Sequence, residues 1–170
     1  MRAIVLGKST VAEQLGTALR AVVVCLDAIN AERGLVSGSG VADSEWVRTH
    51  EVSRQRVRAA LVDGATAVVD DTSSPRFLRD GWRELARRAG VPLVLVYVDT
   101  PVEVLLARHR ANRASHERMD VSNDILRTHL QSYEEPTPDE RPVRYDATDG
   151  PSAWALEEIQ RRLAAGARGE

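Results

Sequence analysis

Gly7-Lys8-Ser9-Thr10 stands between the apolar run Ala3-Ile4-Val5-Leu6 and a stretch whose apolar residues recur at helical spacing. The four residues match the second half of the phosphate-binding pattern G-x-x-x-x-G-K-[ST]. In that pattern glycine amides cradle phosphates, the lysine meets the outer ones and the following hydroxyl serves Mg²⁺. On this reading Gly7, Lys8, Ser9 and Thr10 bind nucleotide, with Ser9 also on the metal. The pattern's opening glycine and spacer are absent. Either the loop is truly shortened, too short to wrap a triphosphate, or the printed sequence closes over a glycine-rich stretch between Leu6 and Gly7. The second option fits the rest of the chain better. A chance match at a strand-to-helix turn is the bland rival.

At 170 residues the chain is expected to form one domain over 1–170, large enough to bury a core. It contains no apolar run of about eighteen residues and no signal-peptide pattern at its start, so no membrane association is expected. The single Cys25 rules out an internal disulfide and a cysteine-based zinc site, which points to a reducing cytoplasm. Cys25 lies in an apolar run and reads as an inert thiol. A net charge of −2 gives no overall footprint for nucleic acid, so a small molecule is the favoured partner. Oligomeric state is not legible.

Short Val/Leu/Ile runs at Ala3–Leu6, Val22–Leu26, Ala67–Val69, Leu93–Val98 and Val143–Tyr145 read as strands buried on both faces. Between them helices are predicted: Lys8–Leu19 with Val11, Leu15 and Leu19 on one face; a second capped by Ser44 and running to Val62 before Gly64; a third from Pro75 to Gly90; others from Pro101, Ser122 and about Ser152. Gly34–Gly40 and Glu134–Pro142 read as surface excursions. Strand-helix alternation predicts an α/β fold: a parallel five-stranded sheet with helices on both faces, a three-layer sandwich.

Ligands of such sheets bind beyond the carboxyl ends of the strands. Asp27 follows the second expected strand and is assigned as general base, able to face a hydroxyl lined up with a γ-phosphate. Its rival role is to cap the segment Ala28–Arg33. Asp70 or Asp71, after the third strand, would hold Mg²⁺ directly or through water, and the sequence does not choose between them. Asp99 reads as a helix N-terminal residue. Arg108, His109, Arg110, Arg113, His116 and Arg118 crowd one segment, expected between two helices. Most would be solvated, but a lid over about 108–121 would bring arginines onto a triphosphate. No aromatics interleave with them for base stacking. Trp46, Trp82 and Trp154 read as core or helix-packing residues. His50 reads as a satisfied, half-buried histidine, with a pocket-lining role second.

The chain resembles P-loop kinases of the small AAA-ATPase-like group, which includes polynucleotide kinases, zeta toxins and chloramphenicol phosphotransferases. The likeness spans nearly the whole chain. It rests on Gly7-Lys8-Ser9-Thr10, Leu26-Asp27-Ala28-Ile29-Asn30, Val68-Val69-Asp70-Asp71-Thr72-Ser73, Arg108–Arg113, Asp120–Leu126 and Tyr133-Glu134-Glu135-Pro136. It implies a P-loop NTPase sandwich with an Arg-rich lid, and ATP and Mg²⁺ as cofactors. Lys8 and Ser9 would sit on phosphates and metal, Asp27 would be the base, Arg113 a lid arginine and Arg108 a second. Phage-type polynucleotide kinases carry an arginine three residues after the base; here that position is Asn30, with Arg33 a further turn away.

The expected activity is transfer of the γ-phosphate of ATP to a hydroxyl of a small molecule, an antibiotic or other metabolite. Asn30, Arg33, His50 and Arg54 are expected beside the acceptor. A polynucleotide or RNA 5′-hydroxyl kinase is the first alternative. A nucleotide-binding module without transfer is the second, should the loop be truly short.

Overall fold

The computed structural model describes residues 8–35, 41–115, 123–146 and 153–167. In chain order these form α1 (Lys8–Leu19), β1 (Val22–Cys25), α2 (Leu26–Glu32), α3 (Asp43–Val62), β2 (Ala67–Asp70), α4 (Arg76–Ala89), β3 (Val96–Asp99), α5 (Val102–Ser115), α6 (Asn123–Ser132), a 3₁₀ turn (Pro138–Glu140), β4 (Val143–Asp146) and α7 (Ala153–Ala167). β1 pairs with β2 in parallel from Val22↔Ala67 to Cys25↔Asp70. β3 pairs with β4 in parallel from Val96↔Val143 to Asp99↔Asp146. The described strands therefore form two parallel pairs rather than one five-stranded sheet. Residues 3–6, expected as a further strand, lie outside the described residues.

Two cores follow from the period-two alternation of strand side chains. Val24, Val69 and Ala67 turn toward Val57 of α3 and Trp82 and Leu85 of α4. Val96, Val98, Val143 and Tyr145 turn toward Val11, Leu15 and Leu19 of α1 and Ile159 of α7, so the predicted face of α1 is the one that packs. Val23 points the opposite way from Val24, against Gly16 of α1. A Cβ at Gly16 would run into Val23 Cγ2, so the missing side chain is what lets helix and strand touch.

Several expected boundaries move, for identifiable reasons. Leu26 leaves the strand and opens α2. α3 begins at Asp43 with Ala42 at its N-cap, not Ser44; Asp43 and Glu45 put negative charge in its first turn, where the helix dipole favours it. β3 starts at Val96 rather than Leu93. Just before its partner strand Arg141 takes φ +50° and gives its amide to the Pro138 carbonyl at 3.0 Å, so that amide cannot carry the ladder backward toward Leu93. Residues 108–115 are the C-terminal half of α5 rather than a connection between helices, and there His109 is buried beside Leu105 instead of solvated. Trp154 is 62 % exposed and is not a packing residue.

Arg79 of α4 ties the remote segments together. It is 4 % exposed. Its Nε and Nη2 donate to both oxygens of Glu140 at 2.7 and 2.8 Å. Nη1 donates to the carbonyls of Ser73, Ser74 and Glu134. Glu140 also accepts from Arg83 Nη2 at 2.6 Å and from the Thr137 amide at 3.0 Å. Arg79 holds the Glu140 carboxyl far below the usual carboxylate range, against the opposing effect of burial.

Two outcomes test this packing. Gly16→Ala gains about 1 kcal/mol of helix propensity, yet should lower stability because the clash costs about 1–3 kcal/mol. In a Val23→Ala background the same change should become stabilising; denaturant melts of the four proteins measure the sign. Glu140→Gln strands a buried guanidinium and should cost about 3–5 kcal/mol at neutral pH. Because folding depresses this carboxyl, its contribution is present above the unfolded value of 4.5 and lost as pH falls below it. The gap between wild type and Glu140→Gln should narrow in acid.

Candidate functional site

α1 and β1 are joined by a tight turn in which the Ala21 amide returns to the Gly16 carbonyl at 2.8 Å and Arg20 takes φ +51°. Helix and strand therefore run antiparallel, and the N-terminus of α1 lies at the carboxyl end of β1. Ser9 and Thr10 are exposed there, on the turn whose free amides and dipole attract anions. Gly7, the junction Leu6–Gly7 and the side chain of Lys8 lie outside the described residues.

β1 and β2 end level, so the residues just beyond them share one rim. Asp27 is exposed in the first turn of α2, two residues past the Cys25↔Asp70 pair. Strand alternation then separates the two neighbouring aspartates. Asp70 shares the α1 side with Val68 and sits against Cys25; burial, and next the Asp70 carboxylate, push the Cys25 thiol up and keep it protonated. Asp71 points to the α3–α4 side. Its Oδ2 accepts from Ser73 Oγ at 2.6 Å and Trp82 Nε1 at 3.4 Å, and lies 3.9 Å from His50 Nδ1. Ser73 holds this bond at φ +40°, a conformation that non-glycine residues seldom adopt.

His50 departs from expectation. It is 8 % exposed and its Nδ1 has no hydrogen-bond partner, so it is buried but not satisfied. Burial lowers its pKa, Asp71 opposes that, and Arg54 reinforces it, which leaves the imidazole neutral at pH 7. Arg54 stands one helical turn on, its guanidinium 5.7 Å from the Trp82 ring centre. Asn30 and Arg33 instead fasten α2 to α3. Asn30 is fully buried and accepts from Thr49 Oγ1, while Arg33 donates to Thr49 Oγ1 and the Glu45 carbonyl and pairs with the Glu45 carboxylate. Arg108 and Arg113 lie on α5; their side chains, and residues 116–122, fall outside the described residues.

Sequence reasoning missed Thr49, Ser73 and Trp82 as the partners that orient this rim. The ST-type spacing Asp71-x-Ser73 was a usable signal for one of them. Among the described residues no three metal-ligating side chains converge. A magnesium ion needs only one or two carboxylates beside water and phosphate oxygens, and the hydroxyl of Ser9 with the carboxylate of Asp70 suits that chemistry. Among the described residues no helix is long and apolar enough to cross a membrane.

Known proteins resemble this arrangement. An unliganded sugar kinase from Janibacter sp. superposes with a TM-score of 0.65 at 18 % identity over 96 % of this chain and 92 % of its own. A kinase candidate from Chloroflexus aurantiacus gives 0.68 at 21 % identity over 94 % and 91 %. A gluconokinase from Sinorhizobium meliloti gives 0.58 at 24 % identity over 96 % and 86 %. At these identities the likeness establishes the fold, that of α/β P-loop kinases. No curated protein matches the sequence. The family model described as an AAA domain matches residues 5–136, so the chain, with its helix N-terminus and strand-end carboxylates on one rim, belongs to the AAA domain family of P-loop proteins.

Proposed function

We propose that this chain is a Mg²⁺- and ATP-dependent phosphotransferase, a single domain over 1–170, that transfers a phosphoryl group to a hydroxyl of a small molecule. The observation that carries the reading is the level ending of β1 and β2 beside the N-terminus of α1, which gathers Ser9, Thr10, Asp27 and Asp70 on one rim. Lys8, Ser9 and Thr10 receive the nucleotide phosphates by their place at the start of α1, with Gly7 before them. Ser9 and Asp70 would hold magnesium, which neutralises charge on the phosphate oxygens when bound. Asp27, exposed and free of an ion-pair partner among the described residues, accepts the proton of the attacking hydroxyl. Asp71, His50 and Arg54 form the acceptor side, and Asn30 and Arg33 support it from behind by fixing α2 on α3. Arg108 and Arg113 of α5 are the arginines that would close over the transferring phosphate.

Two neighbours carry the names sugar kinase and gluconokinase, which supports a polyhydroxylated acceptor over an oligonucleotide. The buried Asn30 supports the same choice, since it offers nothing to a nucleic-acid end.

The test is a panel of sugars, sugar acids and hydroxylated antibiotics incubated with Mg·ATP and read by mass spectrometry for gain of one phosphoryl group. At least one acceptor should be phosphorylated. Asp27→Asn should lower kcat for it by about 10²–10⁴-fold while leaving nucleotide affinity within about twofold. Thermal stabilisation by nucleotide with no phosphorylated product would replace this reading with that of a non-catalytic binding module. An Asp27→Asn protein with full transfer rate would remove Asp27 from the role of base.

A further inference from the structure

A second concavity lies at the other end of the molecule. It is walled by α4 and α7 and floored by residues 91–95, with a cavity volume of about 490 Å³. That is within the range of small-molecule sites, roughly 300–1,000 Å³. Residues 91–95 run directly into β3, and Glu140 and Arg141 stand just before β4. The two strands are parallel, so the cleft is at their starting end, a strand length away from the rim on which Asp99 and Asp146 end. It is not the site proposed for phosphoryl transfer.

The cleft is built of two chemistries. Its apolar lining joins Val91, Pro92 and Leu93 of the floor to Ala86 of α4 and Ala165 of α7. Leu93 is 41 % exposed there, and Gly166 lets α7 close down on Pro92, since a Cβ at Gly166 would lie 2.5 Å from the Pro92 ring. Its rim is cationic: Arg83, Arg87, Arg141, Arg161 and Arg162. Of the lining residues only Glu140 is acidic, and its carboxylate is already bound by Arg79 and Arg83. Asp80, Glu84 and Glu158 pair with Arg83, Arg87, Arg161 and Arg162 from behind. Glu84 is shared with Arg88 as well. Arg141, exposed at φ +50°, has no ion-pair partner among the described residues. Guanidinium groups thus outnumber carboxylates around an apolar floor.

We infer that this cleft binds an amphipathic anion, a small molecule with an apolar body and a carboxylate or phosphate head. The tail displaces water from Val91, Leu93 and Ala165. The head takes the paired N–H groups of Arg141, with Arg161 and Arg162 supplying field.

Titration calorimetry on the full chain tests this with octanoate as the probe, set against 1-octanol (tail without charge) and acetate (charge without tail). Octanoate should bind with one-to-one stoichiometry, and both controls should bind at least about tenfold more weakly. Arg141→Glu should weaken octanoate by about tenfold or more, and Ala165→Phe, which fills the cleft, should abolish binding. Thermal melts check that each variant folds. If Ala165→Phe does not fold, Arg141→Glu alone decides. Equal binding of octanoate and octanol, equal binding by wild type and Arg141→Glu, or no saturable octanoate binding would each overturn the inference. The assay contains no nucleotide and no acceptor, so its failure leaves the kinase reading where it stands.

Discussion

The fold depends on one buried ion pair. Arg79 can sit at 4 % exposure only because Glu140 meets it through two hydrogen bonds and three carbonyls accept from its Nη1. A charge so placed cannot tolerate loss of its partner, since desolvation is repaid only by complete pairing. Those carbonyls belong to Ser73 and Ser74, just after β2, and to Glu134, just after α6. The segment carrying Asp71 is therefore held by a side chain from α4 and by a carboxylate that lies close to it only in space. Glu134 adds a second stitch by accepting from the Arg76 amide at 2.8 Å. The clamp thus holds the backbone just beyond Asp71 through the Ser73 and Ser74 carbonyls.

Most of the architecture was legible in the sequence. α1 matches Lys8–Leu19, and Pro75 and Gly90 bracket α4 as its N-cap and its left-handed C-cap. These signals are local: a fixed φ, a missing Cβ, a repeat of apolar residues. What was not legible depends on partners distant in sequence. Nothing in Leu93-Val94-Leu95 shows that β4 meets only its last carbonyl, which accepts from the Val143 amide at 2.8 Å. The helix Leu26–Glu32 was hidden because Leu26 continues the apolar run of Val22–Cys25.

The candidate site divides in the same way. Asp27, Asp70 and Asp71 could be placed at strand ends by pattern alone, and the structure puts them on one rim. The roles of Asn30 and Arg33 could not be read, because their partners Glu45 and Thr49 lie across a loop from them. His50 was misjudged for a related reason: burial is visible from helical spacing, whereas the presence or absence of a partner for Nδ1 is a property of three elements at once.

The opposite orientations of Asp70 and Asp71 carry a consequence for how this rim can vary. Side chains at the end of a strand change faces with each residue, so the two carboxylates are assigned to two compartments by parity alone. A substitution within Ala67–Val69 alters size or polarity but leaves parity intact. Deletion or insertion of one residue there would send the carboxylate beside Cys25 toward His50 and its neighbour toward α1, without altering the chemistry of either. Relatives that keep this division of labour should therefore differ in β2 by replacement and never by an odd change in its length, while the connections on either side remain free to grow.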